Sequence, residues 1–166
     1  MTDIVFISSV QSEFASERRA ITDFIRGNPL LSRYFDVFLF EELPASDRAP
    51  GDVYLDWIDR SAVYIGLFGE KYGSVDAQGV SPTEREFDRA TARGKRRLIF
   101  LNGDPEARHP KMKALVQKAE RQLVRRRFQE VADLNAQLFA SLVDYLEGEG
   151  SLTRKPFHSS ACPGAS

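Results

Sequence analysis

The sequence has a single cysteine, Cys162, and only two histidines, His109 and His158. One cysteine excludes a disulfide within the chain and any cysteine-rich metal knuckle. The two histidines are too few and too isolated from each other to form a classical zinc site. We therefore expect no structural metal.

Long apolar runs and an excess of one charge are also missing. The longest apolar run, residues 62–68, is far shorter than the roughly 20 residues needed to span a bilayer, and the N-terminus lacks a signal-peptide pattern. The chain has 23 Lys and Arg against 24 Asp and Glu, a formal net charge of −1. The composition therefore favours a cytoplasmic protein and disfavours a membrane or nucleic acid as its partner.

Three sequence motifs that are typical of common enzyme classes are absent. The chain has neither the G-x-G-x-x-G fingerprint nor the P-loop G-x-x-x-x-G-K-[ST], which removes the main support for a dinucleotide oxidoreductase or an NTPase. It also lacks the G-x-S-x-G nucleophile elbow of α/β-hydrolases.

What the sequence does contain is a regular alternation of short apolar runs and amphipathic segments. Four apolar runs predict buried strands at residues 4–7, 35–40, 62–68 and 98–101, and a shorter run predicts an edge strand at 124–128. Helical spacing predicts helices over 13–26, from about 51, from 81 to 94, from 110 and over 131–145. In the first helix, Arg18 is assigned to the solvated face.

Five βα alternations predict a parallel sheet covered by helices on both faces. The expected fold is therefore α/β, a flavodoxin-like (TIR-like) three-layer sandwich with a five-stranded parallel sheet. Residues 1–147 form this domain. Residues 148–166 are rich in Gly, Ser and Pro, and we expect them to be a flexible linker or tail toward a further C-terminal region.

Polar side chains follow the predicted strands, at the sheet edge where open α/β proteins bind their ligands. Ser8 and Ser9 end the first strand, Glu41 follows the second, and Tyr72 follows the third. Thr83 opens the next helix. We expect these residues to converge on one edge and to shape a nucleotide pocket.

Several of these segments together resemble TIR domains. Residues 5–9 resemble the first box of that family, residues 35–43 its second strand and following loop, and residues 86–95 the helix that begins with its NAD-cleaving glutamate. Residues 69–75 and 83–87 resemble, more closely, an uncharacterised bacterial TIR-like family whose members are often N-terminal modules of larger defence or regulatory proteins.

The resemblance implies hydrolysis of NAD+, or signalling through self-association, with Glu86 as the catalytic residue. No cofactor is required, and NAD+ or a related nucleotide is the expected substrate. Glu86 lies at the border of an apolar stripe and, as we place it, in the first turn of its helix, where the helix dipole favours an ionised carboxylate. A fixed carboxylate suits the oxocarbenium-like centre that forms when the nicotinamide–ribose bond breaks.

Other interpretations of the same residues stay open. A first-turn glutamate often serves only the helix dipole, strand-end serines often bond locally, and acidic loops and loop tyrosines are often structural. The Trp-Cys pair that often precedes the TIR glutamate is absent, which favours a non-catalytic interaction or nucleotide-sensing module. A nucleoside deoxyribosyltransferase-like enzyme is a third alternative.

Charge is unevenly distributed along the chain. Between residues 36 and 59 we count seven acids against one arginine, and between 108 and 127 eight basic residues against one glutamate. Opposite charge on two surfaces suits head-to-tail self-association, although such runs are commonly just solvated.

Overall fold

The computed structural model describes residues 1–154, so residues 155–166 of the predicted tail lie outside the described residues. The elements, in chain order, are β1 (Asp3–Ser9), α1 (Gln11–Gly27), α2 (Leu31–Tyr34), β2 (Phe35–Val37), a 3₁₀ turn (Phe40–Glu42), α3 (Pro50–Arg60), β3 (Val63–Phe68), α4 (Pro82–Ala92), β4 (Arg96–Leu101), α5 (Pro110–Glu120), β5 (Arg125–Arg127) and α6 (Val131–Gly148).

The strands form one parallel sheet with the order β2-β1-β3-β4-β5. Alternate residues of each strand point to opposite faces and build two separate cores. Ile7 and Ile65 pack with α1 and α6 on one face, whereas Phe6 and Tyr64 pack with α3, α4 and α5 on the other. The predicted flavodoxin-like three-layer sandwich is confirmed, because this strand order is that of flavodoxin.

Local sequence signals fix the position of α4. The Ser81 side chain caps the helix by accepting from the Glu84 backbone N–H at 3.3 Å, and Pro82 occupies the first turn. After the helix, Gly94 adopts a positive φ of 64°, which ends the helix as the sequence predicts. These signals fix where α4 begins and ends, and its buried residues Phe87 and Ala90 define the face that packs on the sheet.

The second strand is shorter than predicted. It spans only Phe35–Val37, and the remainder of the predicted 35–40 run leaves the sheet. Phe38 stacks on Trp57 with ring centroids 4.7 Å apart, and Phe40 stacks on Tyr54 at 4.9 Å. The apolar character of this run therefore reflects packing against α3 rather than strand pairing. The short helix α2 before it was not predicted.

The two charged segments lie near opposite edges of the sheet, because β2 and β5 are its outer strands. Many of their charges are paired within the chain. Arg26 binds Asp36 and Glu42, for example, and Arg125 binds Glu120. Head-to-tail self-association stays a prediction. In the part of the chain that runs from residue 1 to 154, no helix is both long and apolar enough to cross a membrane.

Candidate active site

Helix α4 brings a carboxyl group onto the carboxyl end of β1. Glu86 is only 8% exposed, and the Ser8 hydroxyl, which is fully buried, donates a hydrogen bond to its Oε2 atom. The two residues are 78 positions apart in sequence. The contact therefore joins the end of the first strand to the helix that follows the third.

Burial controls the ionisation of this carboxyl group. It raises the pKa of Glu86 from 4.5 to about 7, and the hydrogen bond from Ser8 and the positive charge of Arg18 oppose this rise only in part. This corrects the prediction that the helix dipole favours the ionised form. Because α4 begins at Pro82, the acid in its first turn is Glu84, and Glu86, two residues later, lies in the second turn.

Glu86 lines a cavity of about 400 Å³ at the carboxyl end of β1. The other lining residues come from the β1–α1 junction, α1, α3, the loop before α4 and the start of α4: Ser9, Val10, Gln11, Ser12, Arg18, Tyr54, Gly73, Ser74, Pro82 and Thr83. The volume falls in the range of small-molecule sites in proteins. The strand ends therefore form a pocket where the sequence predicts one.

A second cavity, of about 340 Å³, adjoins the first and shares Glu86 and Tyr54 with it. Its other walls include the apolar side chains of Leu55, Val75 and Val80. Glu86 thus lies between a polar cavity on the α1 side and a more apolar one between α3 and the loop before α4.

Arg18 is the most informative residue that the sequence analysis misplaced. It is half-buried, and its Nη1 atom donates to the Ile7 carbonyl at 2.8 Å and to Ser9 Oγ at 3.4 Å. The prediction of a solvated Arg18 was wrong because Arg18 is four residues after Phe14 and three before Ile21, two buried residues of α1. That spacing was the available signal.

Tyr54 was also missed as a pocket residue. It projects from α3 into both cavities, and Gln11 Nε2 donates to its hydroxyl at 3.2 Å. Burial and, to a smaller extent, the charge of Glu86 raise the pKa of Tyr54. Apolar residues dominate the run 53–58. The sequence pattern therefore does not show whether a tyrosine in this run lines a pocket or packs in the core.

Beneath the pocket, the Tyr64 hydroxyl on β3 is fully buried, and no group within residues 1–154 meets it with hydrogen-bond geometry. Burial, and then the charge of Glu86, raise the pKa of Tyr64, and Ser8 lies close enough to influence it in the other direction. The core beneath the Ser8–Glu86 hydrogen bond thus contains a hydroxyl oxygen without a hydrogen-bond partner in the described chain.

Two predicted site residues lie elsewhere. Glu41 lines a third cavity, of about 430 Å³, between α1 and the 3₁₀ turn, and this cavity meets the first one at Gln11 and Arg18. Tyr72 is buried on the α5 side of α4, where its ring stacks on His109 with a centroid distance of 5.7 Å. The structure therefore brings Ser8, Ser9, Thr83 and Glu86 together, with Glu41 adjacent.

Glu84, the other acid at the start of α4, faces α5. It accepts from the Tyr72 hydroxyl and from Lys118 Nζ, the latter at 3.1 Å. Glu84 is thus held in an ion pair away from the cavity, which distinguishes it from Glu86. Among residues 1–154, no three or more His, Cys, Asp or Glu side chains cluster so as to hold a metal ion.

Known structures resemble the fold at low sequence identity. The structure of the CMP N-glycosidase BcmB of Clostridium botulinum is 13% identical, with a TM-score of 0.52, over 84% of this chain and 99% of that one. Oxidised flavodoxin 1 from Bacillus cereus is 14% identical, with a TM-score of 0.48, over 88% of this chain and 99% of that one. No curated protein sequence matches the chain significantly.

A family model covers most of the domain. Residues 4–143 match the family described as domain of unknown function DUF4062, and these residues include the five strands except Asp3 of β1, and every residue of the pocket. The chain belongs to the DUF4062 family.

Proposed function

We propose that this domain is a TIR-like signalling module that hydrolyses the nicotinamide–ribose bond of NAD+, with Glu86 as its catalytic residue. The observation that carries the proposal is the buried Glu86 carboxyl, which Ser8 holds at the junction of two cavities and which no cation neutralises through an ion pair within residues 1–154. A buried acid with a raised pKa in a pocket is a typical mark of a functional site.

The reaction needs one well-placed negative charge. The C1′–N bond breaks, its electron pair leaves with the nicotinamide ring, and positive charge develops on the ribosyl C1′. Ionised Glu86 stabilises that charge, and because it is desolvated its effect is larger than in water. Water then adds to C1′ and loses a proton to solvent or to Glu86. The nicotinamide departs as a neutral base, so no acid has to protonate it.

The two cavities suit the two parts of the scissile bond. The more apolar cavity, with Tyr54 and Leu55, accommodates the nicotinamide ring, and the polar cavity, with Ser9 and Thr83, accommodates the ribose hydroxyls. Glu86 is a wall of both cavities, which is the position required of a group that acts on the bond between ring and sugar.

Two further considerations support this chemistry. The flavodoxin-like fold accommodates N-glycosidase activity, since the similar structure from Clostridium botulinum is that of a CMP N-glycosidase. The motifs around Ser8 and Glu86 also resemble those of TIR domains that cleave NAD+. For this chain, the proposal depends on the geometry of Glu86 itself.

The test is nicotinamide release from NAD+ by the purified protein at pH 8, in parallel with the Glu86→Gln and Glu84→Gln variants. Both substitutions remove one carboxylate from α4, but only Glu86 faces the cavity. We expect Glu86→Gln to lower the rate by about 100-fold or more, and Glu84→Gln to keep it within about threefold of wild type. An equal loss in both variants would contradict the assignment.

The same assay separates the alternatives. The protein is assayed both dilute and clustered on a scaffold, because self-association of the domain is expected to complete or stabilise the site. Base exchange between deoxynucleosides, with NAD+ left intact, would favour the deoxyribosyltransferase-like alternative. Binding of NAD+ by the clustered protein without any turnover would favour a nucleotide-sensing module.

A further inference from the structure

Arg18 has an unusual set of partners for a half-buried arginine. Its Nη1 atom donates to the Ile7 carbonyl and to Ser9 Oγ, both uncharged acceptors. Its Nη2 and Nε atoms make no hydrogen bond to the protein, and no carboxylate within residues 1–154 forms an ion pair with it. One edge of the guanidinium is therefore anchored, and the remaining donors are available to a ligand.

Other arginines of the domain show the contrast. Arg26, two turns further along α1, binds Asp36 and Glu42, and Arg89 on α4 binds Asp59 through two nitrogens. Those residues neutralise acids on the surface. Arg18 instead places its positive charge in the wall of a cavity. No acid of the described chain forms an ion pair with it.

The position of Arg18 is equally specific. It lines both the cavity that contains Glu86 and the cavity of about 430 Å³ that continues between α1 and the 3₁₀ turn. A ligand that extends from Glu86 out of the first cavity along α1 therefore passes the Arg18 guanidinium. Its anchoring bond to Ile7, one residue before Ser8, keeps Arg18 in register with the end of β1.

We infer that Arg18 binds a phosphate of the substrate, so that the site takes ribose 5′-phosphates (mononucleotides or dinucleotides) and discriminates against unphosphorylated nucleosides. This inference rests on the proposed function, since it places the sugar beside Glu86. The planar guanidinium presents paired N–H donors that match two oxygens of a phosphate. An unphosphorylated nucleoside would leave the remaining N–H donors of this guanidinium without an acceptor, whereas a phosphate supplies two oxygens for them.

The test compares two ligands that differ only in the phosphate, nicotinamide mononucleotide and nicotinamide riboside. Binding is measured by calorimetry in the Glu86→Gln protein, so that turnover does not interfere. We expect the mononucleotide to bind at least about tenfold tighter than the riboside. Adding Arg18→Gln should bring the ratio close to one, because the riboside loses little while the mononucleotide loses its phosphate contact.

Two further variants make the result specific to Arg18. Arg33→Gln removes the same charge from an exposed position that lines none of the three cavities, and it should keep the full preference for the mononucleotide. Arg18→Lys retains a donor for the Ile7 carbonyl, and therefore the fold, but presents a point charge. Its preference for the mononucleotide over the riboside should lie between that of the protein with Arg18 and that of the Arg18→Gln variant. Thermal unfolding checks that each variant is folded.

Three results would overturn the inference: equal affinity for the two ligands, a preference that survives Arg18→Gln, or no binding of either ligand at millimolar concentration. These outcomes are distinct from those of the hydrolysis assay. If NAD+ stays intact while the preference depends on Arg18, the proposed hydrolysis fails and the phosphate site stands. If NAD+ is cleaved through Glu86 without any preference for phosphate, the reverse holds.

Discussion

The carboxyl edge of the sheet has two halves that differ in how their polar groups are satisfied. On the α5 side, the charged groups of Glu70, Glu84 and Arg108 all have partners within residues 1–154. Glu70 accepts from the Asp104 backbone N–H at 2.9 Å, and buried Arg108 donates to the Gly69 and Asn102 carbonyls at 2.8 and 3.2 Å. These bonds join the loops after β3 and β4 and close that half of the edge.

On the α1 and α3 side, the polar groups have fewer hydrogen-bond and ion-pair partners. Within residues 1–154, Glu86 has a hydroxyl partner but no ion pair, Arg18 donates through one nitrogen to uncharged acceptors, and the buried Tyr64 hydroxyl has no hydrogen-bond partner. Cavities open beside Glu86 and Arg18. Burying polar groups without hydrogen-bond partners costs stability. The α1 and α3 side is therefore the part of the edge where a bound ligand would supply the missing partners.

The largest expected difference between the halves concerns their two arginines. Arg108→Gln should lower the free energy of unfolding by about 2–4 kcal/mol, because it leaves the buried Gly69 carbonyl and the partly buried Asn102 carbonyl without their donor. Arg18→Gln should lower it by less than about 1 kcal/mol, since Arg18 is only half-buried and has one strong bond. Urea unfolding of both variants measures this. Equal losses would erase the distinction between the halves.

The next effect is a gain of stability when the Glu86 carboxylate is removed. Its pKa is about 7 in the folded protein against 4.5 for the free group, so the folded chain holds a proton that the unfolded chain loses between these values. Stability therefore falls as the pH rises from about 4.5 to 7. With about 1.4 kcal/mol per pKa unit, Glu86→Gln should stabilise the protein by at most about 3.5 kcal/mol at pH 8.

At pH 4.5 most of this gain should be gone, because Glu86 is then protonated in the folded protein and about half-protonated in the unfolded chain. The control is Glu84→Gln, which breaks the contact with Lys118 and should destabilise the protein by about 1 kcal/mol or less at pH 8. Denaturant unfolding at the two pH values measures all three proteins. A destabilising Glu86→Gln at pH 8 would show that the ionised carboxylate contributes to stability rather than opposing it.

Ser8→Ala should move the pH dependence of activity. The Ser8 hydroxyl lowers the pKa of Glu86 by donating to its carboxylate. Without this bond the pKa rises, so the rising limb of the pH–rate profile should move upward, by roughly one pH unit for a bond to a charged group. The rate is measured from pH 6 to 9. Ser12→Ala, an exposed serine of the same pocket, should leave the limb in place.

The smallest effect is expected for Tyr64→Phe. Because the Tyr64 hydroxyl is buried and unbonded, its removal should change the free energy of unfolding by less than about 1 kcal/mol, in the stabilising direction. Tyr145→Phe is the contrasting control on the opposite face of the sheet, since its hydroxyl donates to Asp3 at 2.8 Å. It should destabilise by about 1 kcal/mol. Thermal unfolding distinguishes the two signs.

Much of the fold could be predicted because it depends on local patterns. Buried parallel strands are continuous apolar runs, and α4 is marked at both ends by Ser81, Pro82 and Gly94. The 35–40 run misled the prediction because residues that stack on α3 are as apolar as residues of a strand. Periodicity alone does not record which element a side chain packs against.

The candidate site could be predicted where side chains end a strand or lie at the start of the helix that follows it. Ser8, Ser9, Thr83 and Glu86 converge because parallel strands end at the same edge. The raised pKa of Glu86 depends on how deeply α4 packs, which no local pattern encodes. Arg18 did carry a signal, since it belongs to the buried stripe of α1, and a charged residue in such a stripe indicates a paired or functional group.

The most direct test of the account is the pH dependence of kcat/KM for nicotinamide release from NAD+ between pH 5 and 9. We predict that the rate rises tenfold per pH unit at low pH and levels off above about pH 7, where Glu86 is ionised. Glu86→Gln should abolish most of the activity and, with it, the rise of the rate between pH 5 and 7. A Glu86-dependent rate that is flat with pH, or NAD+ that stays intact with clustered protein, would contradict the account.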